Sequence, residues 1–247
     1  MKEQQALKID ILTLFPEMFE TVLNTSILGR AVNTEKVEIN LCDFREYTKN
    51  KHKKVDDYPY GGGSGLVLTI QPIYDALKSV VGPNFVNELA KLSKSGVEII
   101  MMTPQGQPFS HTIAKELSQK QQLVFLCGHY EGFDERIRKN LVTRELSLGD
   151  FVLTGGEIAT MAMIDATVRL LPDVIQQNSH EDDSFAQGLL EYPQYTRPQE
   201  FNGWEVPEVL INGNHQKIAQ WRKEQSLLRT KNRRPDIIKS RQTVHSK

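Results

Sequence analysis

The run Lys8-Ile9-Asp10-Ile11-Leu12-Thr13-Leu14-Phe15 decides the fold class. Ile9, Ile11, Leu12, Leu14 and Phe15 crowd together with little polar alternation between them, as in a strand buried on both faces. Phe15-Pro16 ends the run, and helix-spaced apolar residues over Glu17–Leu28, with Pro16 at the first turn, predict a helix. Val37-Glu38-Ile39-Asn40-Leu41 alternates and predicts a second strand. Farther on, expected helices at Pro72–Val81, Thr112–Lys120 and Asp134–Leu141 interleave with expected strands at Val97–Met102 and Leu123–Cys127. Glu145–Leu153 reads as one more strand and Glu157–Leu171 as a long buried helix. Strands alternating with helices predict an α/β domain, a mostly parallel sheet covered on both faces.

The chain has 247 residues, enough for one large domain or two modest ones. Apolar residues are 39% and charged residues 25%, so a real core and a soluble surface are both within reach. Lys plus Arg is 30 and Asp plus Glu is 31, a net charge of -1, which excludes a bulk polycation. That neutrality hides an asymmetry. Eight acids and one Arg lie between Pro172 and Glu208, whereas ten basic residues and two acids lie between Lys217 and Lys247. The division predicts an α/β domain over residues 1–172, a polar linker over 173–186, and a small, mainly helical, basic domain over 187–247. No apolar stretch approaches the roughly 18 residues of a membrane span. The opening MKEQQALK lacks an export signal, so a cytoplasmic protein is expected. Cys42 and Cys127 are too few for a disulfide framework or a four-thiolate zinc site, and Cys127 reads as a small buried hydrophobe.

Three expected strands end in loop signals: Thr103-Pro104-Gln105-Gly106, Gly128-His129-Tyr130-Glu131-Gly132 and Leu153-Thr154-Gly155-Gly156-Glu157. Ligands of open parallel sheets bind outside the carboxyl ends of the strands, where such loops converge. Any one of the three alone is a tight turn; together they point to a nucleotide-like ligand, although none matches a phosphate-binding glycine motif. Gly61–Gly65 (GGGSG), after the basic cluster Lys49, Lys51, Lys53 and Lys54, reads as a mobile flap. His180-Glu181-Asp182-Asp183 reads as solvated acids rather than a transition-metal site, although such carboxylates suit hydrated magnesium. Arg169, near the end of an apolar helix, calls for a salt bridge or a function. Trp221 among Arg222, Lys223, Arg229, Arg233 and Arg234 favours nucleic-acid contact over a merely solvated helix face. His129 and His215 take no role from pattern alone.

The strings KIDILTLFPEMF, VDDYPYGGGSG, LCGHYEGFDERI, LSLGDFVLTGGE, SFAQGLLEYPQYTRP and VPEVLINGNH closely resemble the bacterial tRNA (guanine-N1)-methyltransferases, from Lys8 to about Asp236. Two departures are a leading MKEQQAL and Ser64 where proline is expected. The resemblance implies a SPOUT-superfamily methyltransferase domain with a trefoil-knotted backbone. It also implies a homodimer with a shared active site, S-adenosylmethionine as cofactor, magnesium dependence, and a tRNA substrate methylated at N1 of the guanine 3′ of the anticodon. Gly128 and the run Leu148, Gly149, Asp150, Phe151, Val152, Leu153 match the family's cofactor contacts. Thr103, Pro104, Tyr130, Glu131, Gly132, Gly155 and Gly156 are expected to line the same pocket. Asp183 matches the proposed general base and Arg169 the residue facing guanine O6; Glu131 and Asp183 are the candidates for magnesium.

Overall fold

A computed structural model of the chain describes residues 6–175 and 183–238. The chain divides into two compact units, Met1–Ile175 and Gln176–Lys247. In the first, β1 (Leu7–Thr13), β2 (Val37–Asp43), β5 (Val97–Pro108), β6 (Gln122–Leu126) and β7 (Arg144–Ser147) form one sheet in the order β2-β1-β6-β5-β7, every pairing parallel. Parallel neighbours need crossover connections, and helices supply them. These are α1 (Glu20–Leu23), α2 (Ser26–Asn33), α3 (Ile70–Val81), α4 (Phe85–Leu92), α5 (His111–Leu117), α6 (Glu135–Asn140) and α7 (Glu157–Val168).

The period-2 geometry of strands gives the sheet two cores. Ile9 and Ile11 of β1, Ile100 and Met102 of β5, and Leu123 and Phe125 of β6 join a cluster with Ala31, Ile113 and Met163. Their immediate neighbours Leu12, Ile99, Met101, Val124 and Leu126 join the opposite one with Ile73, Leu77 and Ile137. Apolar residues are therefore required on both faces of β1, β5 and β6, with Asp10, Thr13 and Glu98 as buried polar exceptions.

Three expectations are corrected. The single helix over Glu17–Leu28 is instead a 3-10 turn at Pro16–Met18 followed by α1 and α2. Ser26 has φ 54° at the break, and a Cβ on Gly29 would lie 2.5 Å from the Asn24 carbonyl oxygen, so backbone packs on backbone where periodicity suggested continuity. β5 does not stop at Met102 but continues to Pro108, with a register irregularity against β7 between Met102 and Gln107. Thr103–Gly106 is therefore an irregular part of a strand and not a strand-to-helix junction. Gly106 passes so close to β7 that a Cβ there would lie 2.5 Å from Leu146 N. Conversely β7 ends at Ser147, short of the expected Leu153. Gly149 N–H donates to Ser147 Oγ (3.2 Å) and Phe151 N–H to the Gly149 carbonyl (2.9 Å), local bonds that replace ladder pairing. The GGGSG loop, expected as a mobile flap, is exposed at Gly61–Gly65 and closed at its base. Its downstream end is tied in through the Glu131 N–H donating to Leu66 O (3.0 Å), with β3 (Asp56–Asp57) and β4 (Val67–Leu68) pairing antiparallel across the loop.

The second unit holds the hairpin β8 (Glu200–Phe201) and β9 (Trp204–Glu205) and the 19-residue helix α8 (His215–Arg233). Asn202 and Gly203 turn the hairpin with φ of 54° and 82°, the conformation that Asn-Gly favours. Asn214 caps α8 by accepting from Lys217 N–H at 3.1 Å. Buried Thr230 anchors the preceding loop, its Oγ1 accepting Leu190 N–H at 2.9 Å.

One buried charge stabilises the far end of the sheet. Glu98 is 2% exposed and lies 2.9 Å from Lys120 Nζ, with Thr143 Oγ1 donating at 2.6 Å and Ser93 Oγ donating as well. Burial alone would raise its pKa, but these donors outweigh burial and hold the carboxyl below the usual carboxylate range. A lowered folded pKa contributes stability above the unfolded value that is lost as pH falls through the folded one. Glu98→Gln is expected to cost about 3 kcal/mol at neutral pH. The gap between parent and variant in urea unfolding should shrink toward pH 3; a gap independent of pH would refute the charged role.

Candidate active site

The carboxyl ends of β5, β6 and β7 surround a cavity of about 450 Å³. Of the residues expected to bind cofactor, Thr103, Pro104, Gly128, Tyr130, Glu131, Gly132, Leu148, Gly149, Phe151, Val152, Leu153, Gly155 and Gly156 line it; Asp150 does not. Gln105, His129 and Thr154, in the three loops singled out from sequence but given no cofactor role there, also line it. Phe133, Arg138 and Ser147, outside those loops, complete parts of the wall that sequence reading missed.

The loops are held by their backbones. Gly156 N–H donates to Gly128 O at 2.9 Å, joining the loop after β6 to the start of α7. A Cβ on Gly156 would lie 2.8 Å from Cys127 Cα, and one on Gly128 would meet the Phe133 ring at 2.6 Å. Glycine is the residue that permits these approaches. The loop itself is kinked, with Tyr130 at φ 60° and Gly132 at φ 104°. Burial, reinforced by the negative charge of Asp56, pushes the Tyr130 phenol above its ordinary pKa. Arg138 spans the rim, bonded to Gln105 and 3.3 Å from Glu145. Cys127 beneath is fully buried beside Thr160 at 3.3 Å, and burial pushes its thiol far up, so it is packing and not a nucleophile.

Under the loops sits a pair no spacing rule could find. Glu157, the first residue of α7, is 1% exposed; its Oε1 accepts Thr13 Oγ1–H at 2.6 Å and its Oε2 lies 2.8 Å from His129 Nε2. The His129 ring also packs against Phe15, centroids 4.8 Å apart. A carboxylate at a helix N-terminus is favoured by the helix dipole. Here it fixes the ends of β1 and β6 and the start of α7 to one another. Glu157→Ala, which strands Thr13 and His129, is expected to weaken cofactor binding about tenfold, a loss of one buried pairing or roughly 1–3 kcal/mol. Glu157→Gln should recover most of that loss, because an amide can still accept from Thr13 and pair with imidazole. Calorimetric cofactor titrations of both variants test this, and equal losses would show that charge, not pairing, is what counts.

Arg169 follows the last turn of α7, its N–H donating to Asp165 O at 3.2 Å, and is outside the cavity wall. Asp183 opens the described part of the second unit, its carbonyl accepting Ala186 N–H at 3.1 Å. The remaining acids of the HEDD string, Glu181 and Asp182, and His180 lie outside the described residues, as do Lys239, Arg241 and Lys247.

Residues 7–240 match the family model described as tRNA (guanine-1)-methyltransferase TrmD. The chain belongs to this family. It is 56% identical over 236 residues to a tRNA (guanine-N(1)-)-methyltransferase of Halalkalibacterium halodurans, covering 95% of this chain and 92% of that one. It is also 56% identical over 233 residues to the protein of that name from Staphylococcus aureus strain MRSA252, and 55% identical to that of Staphylococcus haemolyticus, covering 94% of this chain and 91% of each relative. Membership of a methyltransferase family implies S-adenosylmethionine as the methyl source, and the residues present fit it. The cavity is of small-ligand size, its glycine-rich wall offers backbone groups to an adenine, and Glu131 and Glu135 suit a cationic sulfonium. The magnesium implied by the resemblance is a different matter. Among the described residues no three His, Cys, Asp or Glu side chains converge on one point, so those residues build no cage for an ion. No helix among those residues is long and apolar enough to cross a membrane.

Proposed function

We propose that the protein methylates N1 of the guanine 3′ of the anticodon in tRNA, using S-adenosylmethionine held in the cavity at the ends of β5, β6 and β7. The observation that carries this is the convergence of thirteen of the fourteen expected cofactor residues on one cavity, in a chain of this family. Bound there, S-adenosylmethionine supplies an electrophilic sulfonium methyl. The chain's own work is on the base. N1 of neutral guanine carries a proton, so its lone pair becomes available only when a base removes it. Asp183 takes that proton, and Arg169 faces the negative charge that then builds on O6. Leu148–Leu153 and Gly128 orient the methyl donor, and positioning supplies much of the remaining rate.

Tyr130, Glu131 and Gly132 complete the wall. A hydrated magnesium ion needs only one or two protein carboxylates, and Glu131 is the candidate on the wall. The trefoil knot implied by resemblance belongs to the same reading, since threading would hold the three loops together. So does a homodimer. α7 is apolar around its circumference, EIATMAMIDATV, yet leaves Ile158 51% exposed and Ala162 exposed, a face that a second copy would cover. Residues 1–172 are the methyltransferase domain, 173–186 the linker bringing Asp183, and 187–247 the tRNA-binding domain, acting in the cytoplasm. The basic residues of α8 then hold phosphates and set a salt-dependent affinity.

Methyl transfer from labelled S-adenosylmethionine to an unmodified tRNA with guanine 3′ of the anticodon tests the reading. Product at guanine N1, lost when that guanine becomes adenine, is the expected result. Transfer that ignores the change would mean a different substrate. No transfer by a protein that binds both ligands would mean a silent RNA-binding protein.

A further inference from the structure

The second unit contains a cavity of its own, about 630 Å³ in volume. Tyr192, Tyr195, Gln194, Gln199, Arg197 and Arg222 supply its polar and aromatic wall, and no carboxylate lines it. Arg222 rises from the inward face of α8, its guanidinium carbon 4.6 Å from the centroid of the Tyr192 ring. Its Nε is buried and has no hydrogen-bond partner among the described residues. Native proteins rarely leave a buried donor of a charged group unpaired, because doing so forfeits its hydration without return. The unpaired donor therefore calls for an acceptor that enters from outside.

The wall defines that acceptor's chemistry. Two guanidinium groups in a wall that itself holds no carboxylate, with Glu191 bonded to Gln194 at 2.6 Å, favour an anion, and their planar forks suit phosphate oxygens. The volume is too large for phosphate alone and lies in the range of small-molecule sites. Tyr195, half exposed and 6.5 Å from Trp221, offers a ring face, and the two glutamines offer paired donors and acceptors. Aromatic faces, amide edges and arginines in a wall without carboxylates together make a nucleotide site of the kind that takes single unstacked bases.

We propose that this cavity receives one unstacked nucleotide of the RNA substrate, distinct from the methylated guanine, with its base on Tyr195 and its phosphate at Arg222 and Arg197. The proposal rests on the tRNA reading above and deepens it, assigning the second unit a pocket as well as a charged surface.

The experiment uses the full chain and an unmodified tRNA transcript carrying single abasic residues through its loops. Binding and methylation by the parent protein come first; if the parent neither binds nor methylates the intact transcript, the tRNA reading falls, and this proposal with it. Where the parent does bind, one abasic position besides the target is expected to weaken binding about tenfold. In Tyr195→Ala that same position should cost nothing further, since its base partner is already gone. Arg222→Lys, which keeps the charge and loses the fork, should weaken tRNA binding several-fold while cofactor affinity and thermal midpoint stay at parent values. The proposal is overturned if Arg222→Lys and Tyr195→Ala bind tRNA as tightly as the parent. It is equally overturned if every abasic position costs the same in Tyr195→Ala as in the parent. Binding of free guanosine or adenosine monophosphate that ignores Arg222→Lys would also count against it.

Discussion

Asp183→Ala is expected to slow methyl transfer by about 10²–10⁴-fold, the usual worth of a positioned base. Its effect should fall on kcat, with S-adenosylmethionine affinity unchanged, because the role proposed for Asp183 is on the guanine proton and not on the cofactor. The backbone that follows Asp183 is locally ordered. The carbonyl of Asp183 accepts from Ala186, Ser184 Oγ accepts Glu191 N–H at 3.0 Å, and Phe185 N–H donates to Leu189 O at 2.7 Å, so the residues that follow are folded back upon themselves. The diagnostic readout is pH. Without the carboxylate the N1 proton must leave to solvent, so the residual rate should climb steadily with pH. The parent rate should be flat well above the ordinary carboxylate range. Single-turnover rates at several pH values check this. A variant within about tenfold of the parent, with the parent's pH profile, would remove Asp183 from the chemistry.

What the sequence made legible follows from which forces are local. β1, β5 and β6 could be read because a strand covered on both faces carries apolar residues on both, and Ile99 and Ile100 serve opposite cores. The cavity could be read because close backbone approach leaves glycine as its mark, at Gly128, Gly149, Gly155 and Gly156. The break at Asn24–Ser26 and the course of β5 past Met102 could not. Both are set by backbone meeting backbone, Gly29 on Asn24 within the α1–α2 turn and Gly106 on Leu146 across the sheet, and hydrophobic periodicity encodes neither contact. The His129–Glu157 pair was hidden for the same reason, since residues 28 apart are joined only by the order of strands in the sheet. The available hint was an acid opening an otherwise apolar helix. The roles of Asp183 and Arg169 came from resemblance and chemistry, because neither position carries a spacing signal.

Gly156→Ala should have the second large effect, and it isolates the packing of the cofactor loops from the chemistry. The added carbon would lie 2.8 Å from Cys127 Cα, 3.1 Å from Gly128 N and 3.2 Å from Met102 Cβ. Two of these neighbours are backbone atoms directly after β6, where the Cys127 N–H is tied to Leu12 O at 2.9 Å, and they cannot rotate away. Relief must come from the start of α7 moving outward, which lengthens the 2.9 Å bond from Gly156 N–H to Gly128 O and carries Glu157 away from His129 and Thr13. Every wall of the cavity is coupled to that motion. The expected loss of S-adenosylmethionine affinity is about 100-fold, near 2.7 kcal/mol. Gly61→Ala is the control: Gly61 has φ 89°, so alanine there is strained, yet nothing lies within 4 Å of its Cβ position. It should cost about 1 kcal/mol of stability at most and leave cofactor affinity within about threefold of the parent, well under 1 kcal/mol. Calorimetric titration of both variants decides the matter. Comparable losses in the two would mean that backbone strain anywhere in these loops suffices; a Gly156→Ala protein that binds normally would mean that the β6 loop yields, and that the cavity is not held by the contact between Gly128 and Gly156.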